Sequence, residues 1–170
     1  MATTLRVFAF SLGTTLVFYK CHGYLGTVVY CEGISMEPTI QHGDYLLVEK
    51  LSLYRGQIKK LLDSLLNVIF SGDIVVARQL RESGTCCHIL KRVRATGGEA
   101  VNYWSPKLAK SVTVYVVPEE HVWLEGDNKR HSLDSRTYGS VPMGHLEYRV
   151  FCRLWPLSSF GRFDKGNHTR

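Results

Sequence analysis

His88-Ile89-Leu90-Lys91-Arg92-Val93-Arg94-Ala95 sets a lysine inside an apolar, partly β-branched run. Such side chains at close spacing favour an extended strand, and a strand points successive side chains to opposite faces. The stretch therefore predicts a strand with Lys91 and Val93 turned inward and Arg92 turned outward. The same pattern recurs on both sides of it. Residues 44–49, 74–79, 112–117 and 148–154 also carry β-branched or aromatic runs. Gly97-Gly98, Ser105-Pro106 and Gly126-Asp127-Asn128 punctuate them with turn chemistry. Short strands between turns predict a mostly β, antiparallel domain rather than an alternating β/α one.

Two stretches break the pattern. Residues 7–19 are apolar and uncharged, but a membrane span takes roughly 20 residues. Beyond Lys20 and His22 the chain is apolar again at residues 24–31, so a tilted span from Val7 to Tyr30 is expected if Lys20 snorkels. A cleaved secretory signal is the rival, yet no clear small-x-small cleavage site precedes Ser35. A buried amphipathic helix is the third alternative. In the second stretch, Ile58, Leu61, Leu62, Leu65, Leu66 and Ile69 form one helical stripe. Lys59, Lys60, Asp63, Ser64 and Asn67 occupy the other face, and Ser71-Gly72 is a helix stop. An inserted amphipathic helix over residues 51–70 is expected, packed on the β domain or lying in a membrane interface. The organisation expected is an N-terminal anchor (1–30), one β domain (31–160) and a polar tail (161–170).

Composition narrows the class. A chain of 170 residues, 45% hydrophobic and 21% charged, is long enough for one domain with a sizeable core. The net charge of +6 suits an anionic membrane, a nucleic acid or merely a soluble surface. With no Arg-rich run, nucleic acid is not expected as a partner. The five cysteines form no Cys-x-x-Cys pair, and the seven histidines show no metal-ligand spacing. Neither a disulfide framework nor a metal site is expected.

The chemistry centres on Gly33-Ile34-Ser35-Met36-Glu37-Pro38-Thr39, where glycine and proline bend and then stiffen the backbone around a serine. There is no Gly-x-Ser-x-Gly elbow and no His-Glu-x-x-His metal helix. A serine nucleophile needs a base, and Lys91 can serve only when neutral. Its reference pKa near 10.4 must then fall by roughly 3 units, about 4 kcal/mol of differential solvation. Burial among Ile89, Leu90 and Val93 is the means expected. Arg92 cannot substitute, because a guanidinium stays charged. Met36 either lines the substrate groove or packs in the core.

Ser35-Met36-Glu37-Pro38-Thr39, Gly72-Asp73-Ile74-Val75, the Lys91 strand and Gly126-Asp127-Asn128-Lys129-Arg130-His131-Ser132-Leu133-Asp134-Ser135-Arg136 stand in the order of the type I signal peptidase motifs. Over residues 31–160 the chain resembles that family. Val122-Trp123-Leu124-Glu125-Gly126-Asp127-Asn128 and Leu154-Trp155-Pro156-Leu157 are most similar to its mitochondrial inner membrane branch, first-subunit type. The resemblance implies a signal-peptidase and repressor-type β fold with Ser35 as nucleophile and Lys91 as general base. It implies that Ser132 orients the lysine amine while Asp134 and Arg136 pair nearby as support. Asp127 and Asn128 are expected to shape a turn.

Two positions depart from the bacterial pattern. Gly33 stands where bacterial relatives often carry an oxyanion-binding hydroxyl, leaving main-chain donors, the Ser35 amide first. Gly97-Gly98-Glu99 replaces the usual Pro-Gly-Asp. The endoplasmic reticulum branch has histidine in place of the lysine, so with Lys91 present His88 is not needed as base. The function implied is a membrane-anchored serine endopeptidase that removes sorting presequences, facing the intermembrane space and paired with a homologous second subunit. No cofactor is implied. A self-cleaving repressor-type regulator is disfavoured, since the 34 residues before Ser35 are apolar rather than a helix-turn-helix. A catalytically silent binding subunit is the other alternative.

Overall fold

The computed structural model describes residues 26–50, 69, 71–80, 84, 86–105 and 110–164. The expected anchor up to residue 25, the expected insertion at 51–70 except Ile69, and the tail from residue 165 lie outside the described residues. No helix among the described residues is long and apolar enough to cross a membrane.

The β-branched runs form strands as expected. In chain order they are β1 (Thr27–Tyr30), β2 (Tyr45–Lys50), β3 (Ile74–Leu80), β4 (Cys86–Thr96), β5 (Ala100–Ser105), β6 (Lys110–Val116), β7 (His121–Glu125), β8 (Val141–Pro142) and β9 (Leu146–Trp155). Seven of them make one sheet in the order β1-β2-β9-β3-β4-β7-β8, and β5 pairs with β6 as a separate hairpin. Every pairing is antiparallel. Residues 27–30 pair with β2 in register Thr27 to Val48. A membrane span drawn as far as Tyr30 therefore does not fit, because the edge strand already uses those residues. Only one short α-helix, α1 (Ser135–Tyr138), breaks the β pattern among the described residues.

The sheet is covered on both faces, and this decides how its central strand is buried. Val75, Ala77, Val93, Val122, Leu124 and Leu146 form one apolar cluster, with Ile89 against it. Met36, Ile40, Leu46, Val48, Ile74 and Val76 form the other, with Leu90 against it. Alternation along β4 thus places Lys91 between Ile89 and Val93, opposite Val75 on β3, while Leu90 serves the other face. The inward–outward expectation for Arg92 is corrected. Arg92 is only 6% exposed, because the face it points to is also covered. A third cluster joins Ala95, Val117 and Trp123 to Val101, Tyr103 and Tyr115 of the β5–β6 hairpin. Trp123 is fully buried, with Tyr103 and Tyr115 ring centroids at 4.6 and 5.0 Å. Truncating such a residue costs about 3–5 kcal/mol, so the hairpin is firmly stapled to β7.

Candidate active site

Three segments converge on the middle of β4. The first is the loop between β1 and β2, which carries Ser35. Its base is closed by the Cys31 amide donating to the Asp44 carbonyl and the Gly43 amide to the Cys31 carbonyl, each at 2.9 Å. Within it the Ile40 amide donates to the Met36 carbonyl at 3.0 Å, a tight turn that drives Met36 and Ile40 into the core. Asp44 anchors the loop, accepting from the Gln41 amide at 2.9 Å and pairing with Arg153 at 2.8 Å.

The second segment is Lys91 itself. Its Nζ donates to Ser35 Oγ at 2.8 Å, and the residue is 4% exposed. Burial pushes its pKa below the ordinary lysine value, opposed by the charge of Asp134 and by Cys31. The depressed pKa follows from geometry: a strand residue whose neighbours Ile89 and Val93 face the same apolar cluster has no water to hold its charge. A neutral amine at hydrogen-bond distance from a hydroxyl can accept its proton.

The third segment, residues 126–136, clamps the other two. Asn128 donates its amide to the Ser35 carbonyl at 3.0 Å and its side-chain Nδ2 to the Ile34 carbonyl at 3.1 Å. Two bonds to consecutive carbonyls fix the peptide that carries the serine. Gly126 makes room for this: a Cβ there would sit 2.5 Å from the Ser35 carbonyl oxygen and 2.2 Å from Ser132 Oγ. Asp134 is fully buried. Its carboxylate takes a two-pronged contact from Arg136 Nε and Nη2, both at 2.8 Å, and a third bond from the Gly126 amide at 3.0 Å. Burial alone would raise its pKa, but Arg136 and Gly126 hold it below the usual carboxylate range. It also caps α1 through the Arg136 amide.

Of the residues expected at the site, Ser35 and Lys91 are brought into contact, and Asp134 and Arg136 pair as the resemblance implied. Ser132 does not make the expected bond to the lysine amine. Its hydroxyl is buried, packed over Gly126 and close enough to the Asp134 carboxylate to help lower its pKa. Met36 is 3% exposed and belongs to the core, so it does not line the groove; the turn after Ser35 points it inward. Asp127 does more than shape a turn. It grips Arg92 through two bonds, 2.9 and 2.7 Å, and Thr39 hydrogen-bonds it as well. Burial would raise the Asp127 pKa, but Arg92 and Thr39 bring it below the usual carboxylate range. Arg92 also reaches the Gly72 carbonyl at 2.8 Å. The sequence signal was available, since Arg92 adjoins the lysine and Asp127 opens the Asp-Asn turn, but nothing in either motif names the other as partner. His88 is exposed and pairs with Glu147 at 2.8 Å. It leaves β4 on the face opposite Lys91.

A groove of about 550 Å³ lies beside this cluster, with Cys31, which interacts electrostatically with Lys91, in its wall. Val28, Val29, Tyr30 and Cys31 line one side, and Val76, Ile89, Leu90 and Tyr148 the other. Burial, assisted by Asp44, pushes the Cys31 thiol up to about 11, so it stays neutral.

Comparison with known proteins gives the same direction. A family model described as signal peptidase, peptidase S26, matches residues 4–115 and 104–155. The human "Mitochondrial inner membrane protease subunit 1" is 37% identical over 161 residues, covering 95% of this chain and 89% of the relative. Its Xenopus tropicalis counterpart of the same name is 39% identical, covering 98% and 92%. A "Mitochondrial inner membrane protease subunit 2" from Schizosaccharomyces pombe is 34% identical over 93 residues, covering 55% of this chain and 49% of the relative.

Proposed function

The chain belongs to the signal peptidase family, peptidase S26, and from that premise we propose that it is a serine endopeptidase of the mitochondrial inner membrane that removes presequences. Ser35 is the nucleophile and Lys91 the general base. The observation that carries this is the 2.8 Å contact between Ser35 Oγ and an amine that is 4% exposed. Burial favours the neutral amine, which takes the hydroxyl proton as Oγ attacks the scissile carbonyl and returns it to the leaving amine. The oxyanion is met by main-chain donors, the Ser35 amide first. Asp134 and Arg136 hold the 126–136 segment in place.

An extended polypeptide lies in the groove beside edge strand β1, whose outer edge pairs with no strand among the described residues. The residues before β1 anchor the protein, and the catalytic domain faces the intermembrane space. The names of the relatives, subunit 1 and subunit 2, support a complex with a homologous second subunit.

The test is cleavage of presequence peptides by the full chain with its partner subunit in detergent. Ser35→Ala and Lys91→Ala should each lower kcat by about 10⁴-fold or more, and the double variant no further, because the two act as one unit. Lys91→Arg should be equally inactive. Robust turnover by Lys91→Arg would remove Lys91 as the base.

A further inference from the structure

We propose that Glu32 selects charge in the groove, pairing with a cationic side chain of the bound polypeptide a few residues from the bond to be cut. This rests on the peptidase function proposed above and adds a preference to it.

The groove passes beside the catalytic pair, since Cys31 in its wall is within electrostatic reach of Lys91. Glu32 lies three residues before Ser35, and Leu90 immediately precedes Lys91. A chain stretched along the groove therefore presents a peptide bond to Ser35 while its nearby side chains pass Glu32. The rest of the lining is uncharged, with Val28, Val29, Val76, Ile89 and Leu90 beside the hydroxyls of Thr27, Tyr30 and Tyr148. Only Glu32 and His88 among the lining residues bring a carboxylate or an imidazole. His88 is already engaged by Glu147, which also pairs with Arg78 at 3.3 Å.

Glu32 differs from the other acids around the site. Asp44 is held by Arg153, Asp127 by Arg92 and Asp134 by Arg136. The Glu32 side chain is exposed and makes no hydrogen bond or ion pair among the described residues. In a protein of net charge +6, a carboxylate with no partner among the described residues, in a groove otherwise without a free charge, leaves one charge for the ligand to satisfy. Because the group is exposed, the contact is worth a small factor and is screened by salt. It forms in the ground state, so it acts on KM more than on kcat.

The experiment uses the full chain with its partner subunit and a series of neutral peptides. Each peptide carries a single lysine, moved through the positions on either side of the cleaved bond. One position is expected at which lysine lowers KM by about three- to fivefold, with kcat nearly unchanged and the gain shrinking at high salt. Glu32→Gln should flatten that profile, and Glu32→Lys should invert it toward glutamate at the same position. Cleavage with one positional profile shared by wild type, Glu32→Gln and Glu32→Lys would overturn the charge role and leave the peptidase function standing. No cleavage of any peptide by wild type would overturn both.

Discussion

At the scale of single residues the site is a set of buried charges, each given a partner, around one amine that is not meant to stay charged. Asp134 illustrates the first kind. It is fully buried and holds Arg136 through two bonds at 2.8 Å. Removing one member of such a pair strands the other without water. Arg136→Ala should therefore cost about 3–5 kcal/mol in denaturant unfolding, whereas Arg136→Lys, which keeps the charge but loses the fork, should cost less. Equal stability of wild type and Arg136→Ala would contradict the pairing. Lys91 illustrates the second kind. Its position was legible because Ser35, Asp73 and the 126–136 segment stand with it in the family's motif order, whereas the apolar run alone reads as an ordinary strand lysine. Arg92 was misjudged for an equally physical reason. Alternation along a strand gives the face a side chain points to, but not whether that face is covered. Here the nucleophile loop, Asp127 and the Gly72 carbonyl cover it, so an arginine read as solvent-exposed became a buried strut.

At the scale of elements, β4 delivers the base, the β1–β2 loop delivers the nucleophile, and residues 126–136 lock them together. The strands were readable from their runs, but β1 was not. Its residues, Thr27–Tyr30, continue an apolar stretch, and hydropathy alone cannot separate an edge strand from the end of a membrane span. Likewise β5 and β7 lack a long β-branched run; β7 is placed by pairing with β4, and β5 by packing Tyr103 on Trp123 of β7. Met36 could be read either way, and the turn from Met36 to Ile40 decided for the core. The clamp itself is testable. Asn128 bonds the Ser35 and Ile34 carbonyls. Asn128→Ala should lower kcat by about tenfold through a misplaced nucleophile, with KM and melting temperature little changed. A loss confined to KM would mean that Asn128 serves substrate binding instead.

At the scale of the whole molecule, the catalytic amine trades stability for chemistry. The folded-state pKa of Lys91 lies below its ordinary value because of burial. The unfolded chain therefore binds more protons than the folded one between those two pKa values, and stability rises with pH through that window. At neutral pH the burial penalty is in force. Lys91→Met should melt above wild type there, by about 2–4 °C for each kcal/mol relieved. The difference should fade as pH approaches 10.5, the ordinary lysine value. A lower melting temperature for Lys91→Met at pH 7 would mean that the amine is a net stabiliser. The same shift governs turnover. The most direct test is the pH dependence of kcat/KM from pH 5 to 10 for the full chain with its partner subunit, run beside Ser35→Ala as background and His88→Ala as control. With Lys91 as base, wild type should show one ascending limb whose midpoint falls below 10.5 and stays in place in His88→Ala. A limb that shifts or vanishes when His88 is replaced would contradict it.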